Sequence, residues 1–226
     1  MPRVIVDGCE VEVVPGSNVL AALRKLGLDV PALCYLPGCT PNTACMACVV
    51  RLLDPDRIVP SCATRAEDGM RVASETAEIR ELRRTALELM LSDHAGARYG
   101  APGPDGRRPV LCDCGAGEVC RLRKYAELYG ADPERYRGAQ REIAPGGRYH
   151  HPEISYEPAR CILCGLCVQL ARQAGEPLGL TFVGRGFDVL VDVPFNESLE
   201  QALRTAGRRC AGACPTGALK PRRAPR

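Results

Sequence analysis

The chain has 226 residues, among them 14 Cys, 23 Gly and 19 Pro, with three Phe and no Trp. That length suits one to three small domains, and so little large apolar volume means that bound metal is expected to add folding free energy. A formal net charge of +3 is too small to indicate a nucleic-acid binder, and no apolar stretch is long enough to span a bilayer.

Met1-Pro2-Arg3-Val4 shows no apolar signal-peptide core behind a basic start, so the cysteines are expected to be metal ligands in a reducing cytoplasm rather than disulfides. Val4-Ile5-Val6, the turn-prone Asp7-Gly8 and the alternating stretch Glu10 to Val14 predict a hairpin. Ser17 is placed to cap a helix carrying Val19, Leu20, Leu23 and Leu26, which Gly27 can terminate. Strand, turn, strand, helix is the opening of a β-grasp fold, expected over residues 1–77.

Cys34, Cys45, Cys48 and Cys62 follow, with ten, two and thirteen residues between them. Four thiolates are what a [2Fe–2S] centre requires, and the first gap is longer than in the plant-type spacing. Small neighbours, Thr43, Ala44 and Ala47, leave room for backbone N–H groups to approach sulfur. Cys9 and Cys39 fall outside the pattern and read as small structural residues.

Residues 78–135 open with Ile79, Leu82, Ala86, Leu87, Met90 and Leu91, a helical stripe ending at Ser92-Asp93-His94. A Gly/Pro-rich loop from Ala95 to Pro109 leads to Cys112, Cys114 and Cys120, and then to a helix expected over Leu122 to Tyr129. One neutral imidazole from His94 and three thiolates can complete a [4Fe–4S] site. The one-residue gap between Cys112 and Cys114 is tight for two irons of one cube, which leaves either of them open as a bystander.

Residues 136–220 contain Cys161-Ile-Leu-Cys164-Gly-Leu-Cys167, answered by Cys214-Pro215. Three close thiolates plus a remote Cys-Pro follow the bacterial ferredoxin run and can hold a [4Fe–4S] cube. Zinc, the competing metal, usually takes two ligand pairs from short knuckles. A hairpin is expected from Leu180 to Val191 and a helix over about 197–208. Ala171, Arg204 and Gly207 stand where a second ferredoxin cluster would have cysteines, so Cys210 reads as a leftover buried thiol and one cube remains. His150-His151 reads as an exposed pair, because neighbours on an extended chain point apart. Residues 221–226 read as a solvated, disordered basic tail. A Gly-x-Gly-x-x-Gly loop and a recognisable nucleophile are both missing, so the chain is not expected to catalyse a reaction alone.

Pro31-Ala-Leu-Cys34-Tyr35, Cys45-Met-Ala-Cys48, Leu91-Ser-Asp-His94, Cys161-Ile-Leu-Cys164 and Cys214-Pro-Thr-Gly217 together resemble the diaphorase small subunit of soluble NAD-reducing [NiFe]-hydrogenases. That family is itself similar to the N-terminal part of the complex I large iron–sulfur subunit. The chain departs from it in the middle segment, where seventeen residues separate His94 from Cys112. The resemblance implies an α+β chain with a β-grasp [2Fe–2S] ferredoxin domain, a small helical His/Cys segment and a ferredoxin-like [4Fe–4S] domain. It implies one [2Fe–2S] and two [4Fe–4S] clusters relaying electrons between an NAD(H)-binding flavoprotein and a second redox subunit, most simply a hydrogenase. Alternatives are service to formate dehydrogenase or complex I, then fumarate reductase or succinate dehydrogenase, and, from another class, a zinc-dependent nucleic-acid module.

Overall fold

The computed structural model describes residues 1–106, 108–112, 120–138 and 149–222. Strands β1 (Arg3–Val6) and β2 (Cys9–Glu12) pair antiparallel through Asp7-Gly8, both at positive φ, as a tight hairpin turn requires. Helix α1 (Val19–Lys25) is capped by Asn18, whose side chain accepts from the Ala21 N–H, and not by Ser17. Strands β3 (Val49–Leu53), β4 (Asp56–Pro60) and β5 (Arg71–Ala73) complete a five-stranded sheet of order β2-β1-β5-β3-β4, with β5 parallel to β1 and antiparallel to β3. Val4, Val6, Val50, Leu52 and Val72 alternate inward and meet Val19, Leu20 and Leu23 of α1 in one core, as period-two and helical patterning demand.

Helix α2 (Ala77–Ser92) starts at Thr76, whose hydroxyl accepts from the Ile79 N–H. Ile79, Arg83, Leu87 and Leu91 recur on its buried face. Arg83 is fully buried; its guanidinium donates to the Val49 carbonyl, to Tyr129 Oη at 2.8 Å and to Glu75, so the charge is paired where burying it bare would be costly. α2 packs on α3 (Arg121–Tyr129), and a two-stranded piece, β6 (Arg98–Tyr99) with β7 (Val110–Leu111), lies between them in sequence.

Strand β8 (Ile154–Tyr156), α4 (Leu166–Gln173), the hairpin β9 (Thr181–Val183) with β10 (Leu190–Asp192), α5 (Leu199–Ala202), α6 (Gly207–Ala213) and β11 (Leu219–Pro221) follow. β11 pairs antiparallel with β8, and Arg222 N–H donates to the Glu153 carbonyl, so ordered backbone reaches two residues into the stretch read as tail. The helix expected over 197–208 is broken in two. Glu176 accepts from the Thr205 and Ala206 N–H groups, each at 2.7 Å, which turns the chain between α5 and α6. His151 is buried, with Nε2 3.0 Å from the Leu203 carbonyl, while His150 is exposed; the expected exposed pair is half right.

A second core fills the space between α2, α3, α4, α5 and α6. The three Phe of the chain add nothing to it, since Phe182, Phe187 and Phe195 are all exposed. Among the described residues no helix is long and apolar enough to cross a membrane.

Candidate metal centres

The loop from α1 to β3, which carries Cys34, Cys45 and Cys48, and the turn after β4, which carries Cys62, bring the four cysteines together. All four are buried. The Cys34 thiol donates to Cys45 Sγ at 3.3 Å, and Cys62 donates to Cys48, an arrangement that pushes the donors' pKa values up. The acceptors move the other way: the Cys34 hydrogen bond lowers Cys45 to about 6 against the effect of burial, and the Cys62 hydrogen bond lowers Cys48 to about 7. The backbone of Ala47 and Leu33 also hydrogen-bonds to Cys45. Thr43 and Met46 take the left-handed conformation, at φ 52° and 47°; non-glycine residues held there cluster at binding loops, where the turn aims amides inward. Cys34 and Cys45 belong to the larger core and Cys48 and Cys62 to the smaller one, so this site is the joint between them.

Cys161, Cys164 and Cys167 converge with Cys214 around a tight apolar cleft whose other walls include Tyr156, Ile162 and Leu219. Burial drives the Cys164 and Cys167 thiols well above their ordinary range, and the neighbouring Cys161 adds to it. Leu163, at φ 55°, turns its N–H toward Cys161 Sγ, and the Leu219 N–H reaches Cys214 Sγ, both at 3.4 Å. Cys210 lies beside this set, fully buried, its pKa raised by burial to about 12 and its thiol 3.6 Å from the Cys167 carbonyl.

Ligand atoms of His94, Cys112 and Cys120 lie within 4.8 Å of one another. His94 Nε2 is 3.9 Å from Cys120 Sγ, and its buried Nδ1 meets no hydrogen-bond partner among the described residues. Burial holds the imidazole neutral, its pKa lowered to about 4, the state a metal ligand needs. Cys112 is disulfide-bonded, against the expectation that the cysteines are metal ligands and not disulfides, and that bond must be reduced before its sulfur can ligate as a thiolate. Cys114 lies outside the described residues.

The donor chemistry of all three places fits iron–sulfur groups: four thiols twice, and a buried neutral imidazole beside thiol sulfur once. The set centred on Cys161 lies between the other two. Its Cys164 feels the charge of Cys45, and Cys120 feels that of Cys214; the Arg121 N–H donates to the Pro215 carbonyl and Ala95 N–H to that of Ala159. That order in space differs from the order along the chain. Periodicity and spacing identify the ligand types but hold no signal for it.

The sheet, its helix and the first thiol loop define an iron–sulfur protein with a ferredoxin-type domain. Residues 3–77 match the family described as the 2Fe-2S iron-sulfur cluster binding domain. Across nearly all of its length the chain is homologous to subunits of NAD(P)-linked oxidoreductases. It is 30% identical over 222 residues to the alpha subunit of the NADPH-Fe(3+) oxidoreductase of Geobacter sulfurreducens (strain DL-1 / KN400), a match covering 97% of this chain and 24% of that protein. It is 31% identical over 225 residues to the HndD subunit of the NADP-reducing hydrogenase of Solidesulfovibrio fructosivorans, covering 97% of this chain and 36% of that one. A chain of the NAD+-reducing [NiFe]-hydrogenase in the H2-reduced state superposes with a TM-score of 0.80 at 28% identity, covering 99% of this chain and 88% of the other. The chain thus spans between a quarter and about a third of these curated relatives but nearly the whole of the hydrogenase chain.

Proposed function

We propose that this chain is the iron–sulfur electron-transfer subunit of an NAD(H)-linked oxidoreductase, relaying single electrons between a flavoprotein and a second catalytic subunit, most simply a [NiFe]-hydrogenase. The observation that supports the reading is the contiguity of three soft-donor sites, first to central to His94, with hydrogen bonds joining segments of the central one to segments of both neighbours. In it, Cys34, Cys45, Cys48 and Cys62 hold a [2Fe–2S] cluster, while Cys161, Cys164, Cys167 and Cys214 hold a [4Fe–4S] cluster. His94 with Cys112, Cys114 and Cys120 holds a second [4Fe–4S] cluster. Bound there, such groups supply one-electron storage at potentials set by ligand type, burial and hydrogen bonds.

The protein's own part is to exclude water and fix position. Amides of Ala47, Leu163 and Leu219 on sulfur lower the charge density there and favour the reduced state. The imidazole of His94 carries no negative charge, which raises the potential of its site relative to an all-thiolate one.

The similarity to a protein of Bacillus subtilis (strain 168) that bears the name "Putative formate dehydrogenase YrhE", 29% identical over 85% of this chain and 19% of that protein, favours formate oxidation as the second reading. Purifying the native complex anaerobically tests both. A flavoprotein and a nickel subunit are the expected companions, and a molybdenum subunit would move the assignment to formate. The isolated chain is expected to hold about ten irons from the three ligand sets; a colourless, zinc-loaded chain overturns the reading.

A further inference from the structure

The loop of the first thiol site is tied to the central site by side chains far apart in sequence. Asn42 Nδ2 donates to the carbonyl of Cys164 at 2.7 Å. Gln169, on α4, pairs with the Thr40 backbone in both directions, accepting from its N–H at 2.9 Å and donating to its carbonyl at 2.8 Å. One turn further on, Gln173 Nε2 donates to the Gly38 carbonyl at 2.8 Å. The approach leaves no room for a side chain: at Gly165, φ +72°, a Cβ would stand 2.5 Å from Asn42 Nδ2. A Gly here therefore meets two demands at once, the left-handed turn and the close contact.

These bonds exceed what packing two surfaces requires. Each joins a carboxamide to main chain close to a thiol: Asn42 precedes Cys45 by three residues and grips the backbone of Cys164 itself. A carboxamide bonded to a peptide group has one preferred geometry, so the pair of loops has one preferred spacing. Elsewhere the two sites are joined through apolar packing around Leu33 and Cys45, which is non-directional and sets no distance so narrowly.

We propose that Asn42 is a positioning residue, clamping the loop of the first thiol site onto the central site and, with Gln169, fixing the separation across which an electron passes. The inference rests on reading both thiol sets as iron–sulfur sites. The electron leaving the first site oxidises it and reduces the central one, with no bond or proton exchanged. What Asn42 controls is distance, not the number of irons bound.

The test uses the full chain loaded anaerobically with iron and sulfide, in wild-type form and as Asn42→Ala, Asn42→Asp and Asn42→Ala/Gln169→Ala. Asn42→Asp keeps the shape of the side chain but cannot donate to the Cys164 carbonyl. Iron per chain is expected to equal wild type in all three. With both sites reduced, the spin–spin broadening between their EPR signals is expected to be lost in the double variant and weakened in each single one. Loss of the first site's reduced-state signal after a flash of oxidant at the central site is expected to slow in the same order. Broadening and rate equal to wild type in the double variant, at full iron, overturn the clamp while leaving the sites intact. A wild-type chain that takes no iron at these eight thiols overturns the reading of the sites and the proposal with it.

Discussion

The core beneath the N-terminal sheet is built from Val4, Val6, Leu20, Leu23, Val50, Leu52 and Val72, with Cys48 and Cys62 at its edge. The larger core has leucines too, but Cys34, Cys45, Cys120, Cys164 and Cys210 sit within it, and Cys161, Cys167 and Cys214 pack against it around a cleft. The first is close-packed hydrocarbon that can hold itself together. The second devotes much of its interior to sulfur, with thiols from distant segments facing one another across a tight cleft. The sheet can thus fold on burial alone, whereas under the proposed ligand sets the remainder draws stability from what its thiols would bind.

Stripping iron with a chelator from the loaded chain probes that difference most strongly. Amide hydrogen exchange is expected to stay slow in β1, β3 and β5 and to rise sharply in α4 and α6, because metal stabilises only the folded arrangement of its ligands. Equal loss in both regions would break the comparison.

Leu20 and Leu170 are both fully buried, and truncating either to Ala is expected to cost about 3 kcal/mol. Leu20→Ala is expected to show that cost with or without iron. Leu170→Ala is expected to show it only in the loaded chain, because α4 is already loosened when the thiols are empty. Chemical denaturation followed in both forms checks the pair.

Glu176 is the mildest probe. Burial works to raise its pKa, but hydrogen bonds from Thr205 and Ala206 outweigh it and leave the carboxyl below its ordinary value. A depressed carboxylate contributes stability that is present above its unfolded pKa and lost as pH falls through the folded one, so the effect belongs below about pH 4.3. Glu176→Gln is expected to lower stability by about 1 kcal/mol at pH 7, discounted for partial exposure, and to flatten the acid limb of the unfolding curve. An unchanged acid limb would show that the junction of α5 and α6 is held by packing instead.

What the sequence displayed was governed by local rules. The hairpin at Asp7-Gly8, α1, α2 and α3 follow from turn chemistry and periodicity, and the cysteine groupings follow from spacing. Asn18 displaced Ser17 as cap because both residues are good caps and only the register of α1 decides between them. The break near Leu203 was hidden, since the carboxylate that imposes it comes from Glu176, far off in sequence. The β3–β4 hairpin also went unread, although Val49-Val50-Arg51-Leu52-Leu53 before Asp54-Pro55 carries a strand-and-turn signal. The seam from Asn42 to Cys164 lay beyond reach for the same reason as Glu176: polar side chains binding distant main chain leave no periodic trace.

Cys214 comes from the turn between α6 and β11, and it closes a set whose other three members lie at positions 161 to 167. A ribosome must therefore add almost fifty further residues after Cys167 before the central set has its fourth sulfur. The first set is complete by position 62. Under the proposed ligand sets, a nascent chain stalled before residue 214 has the first four sulfurs together and the central set short of its last one.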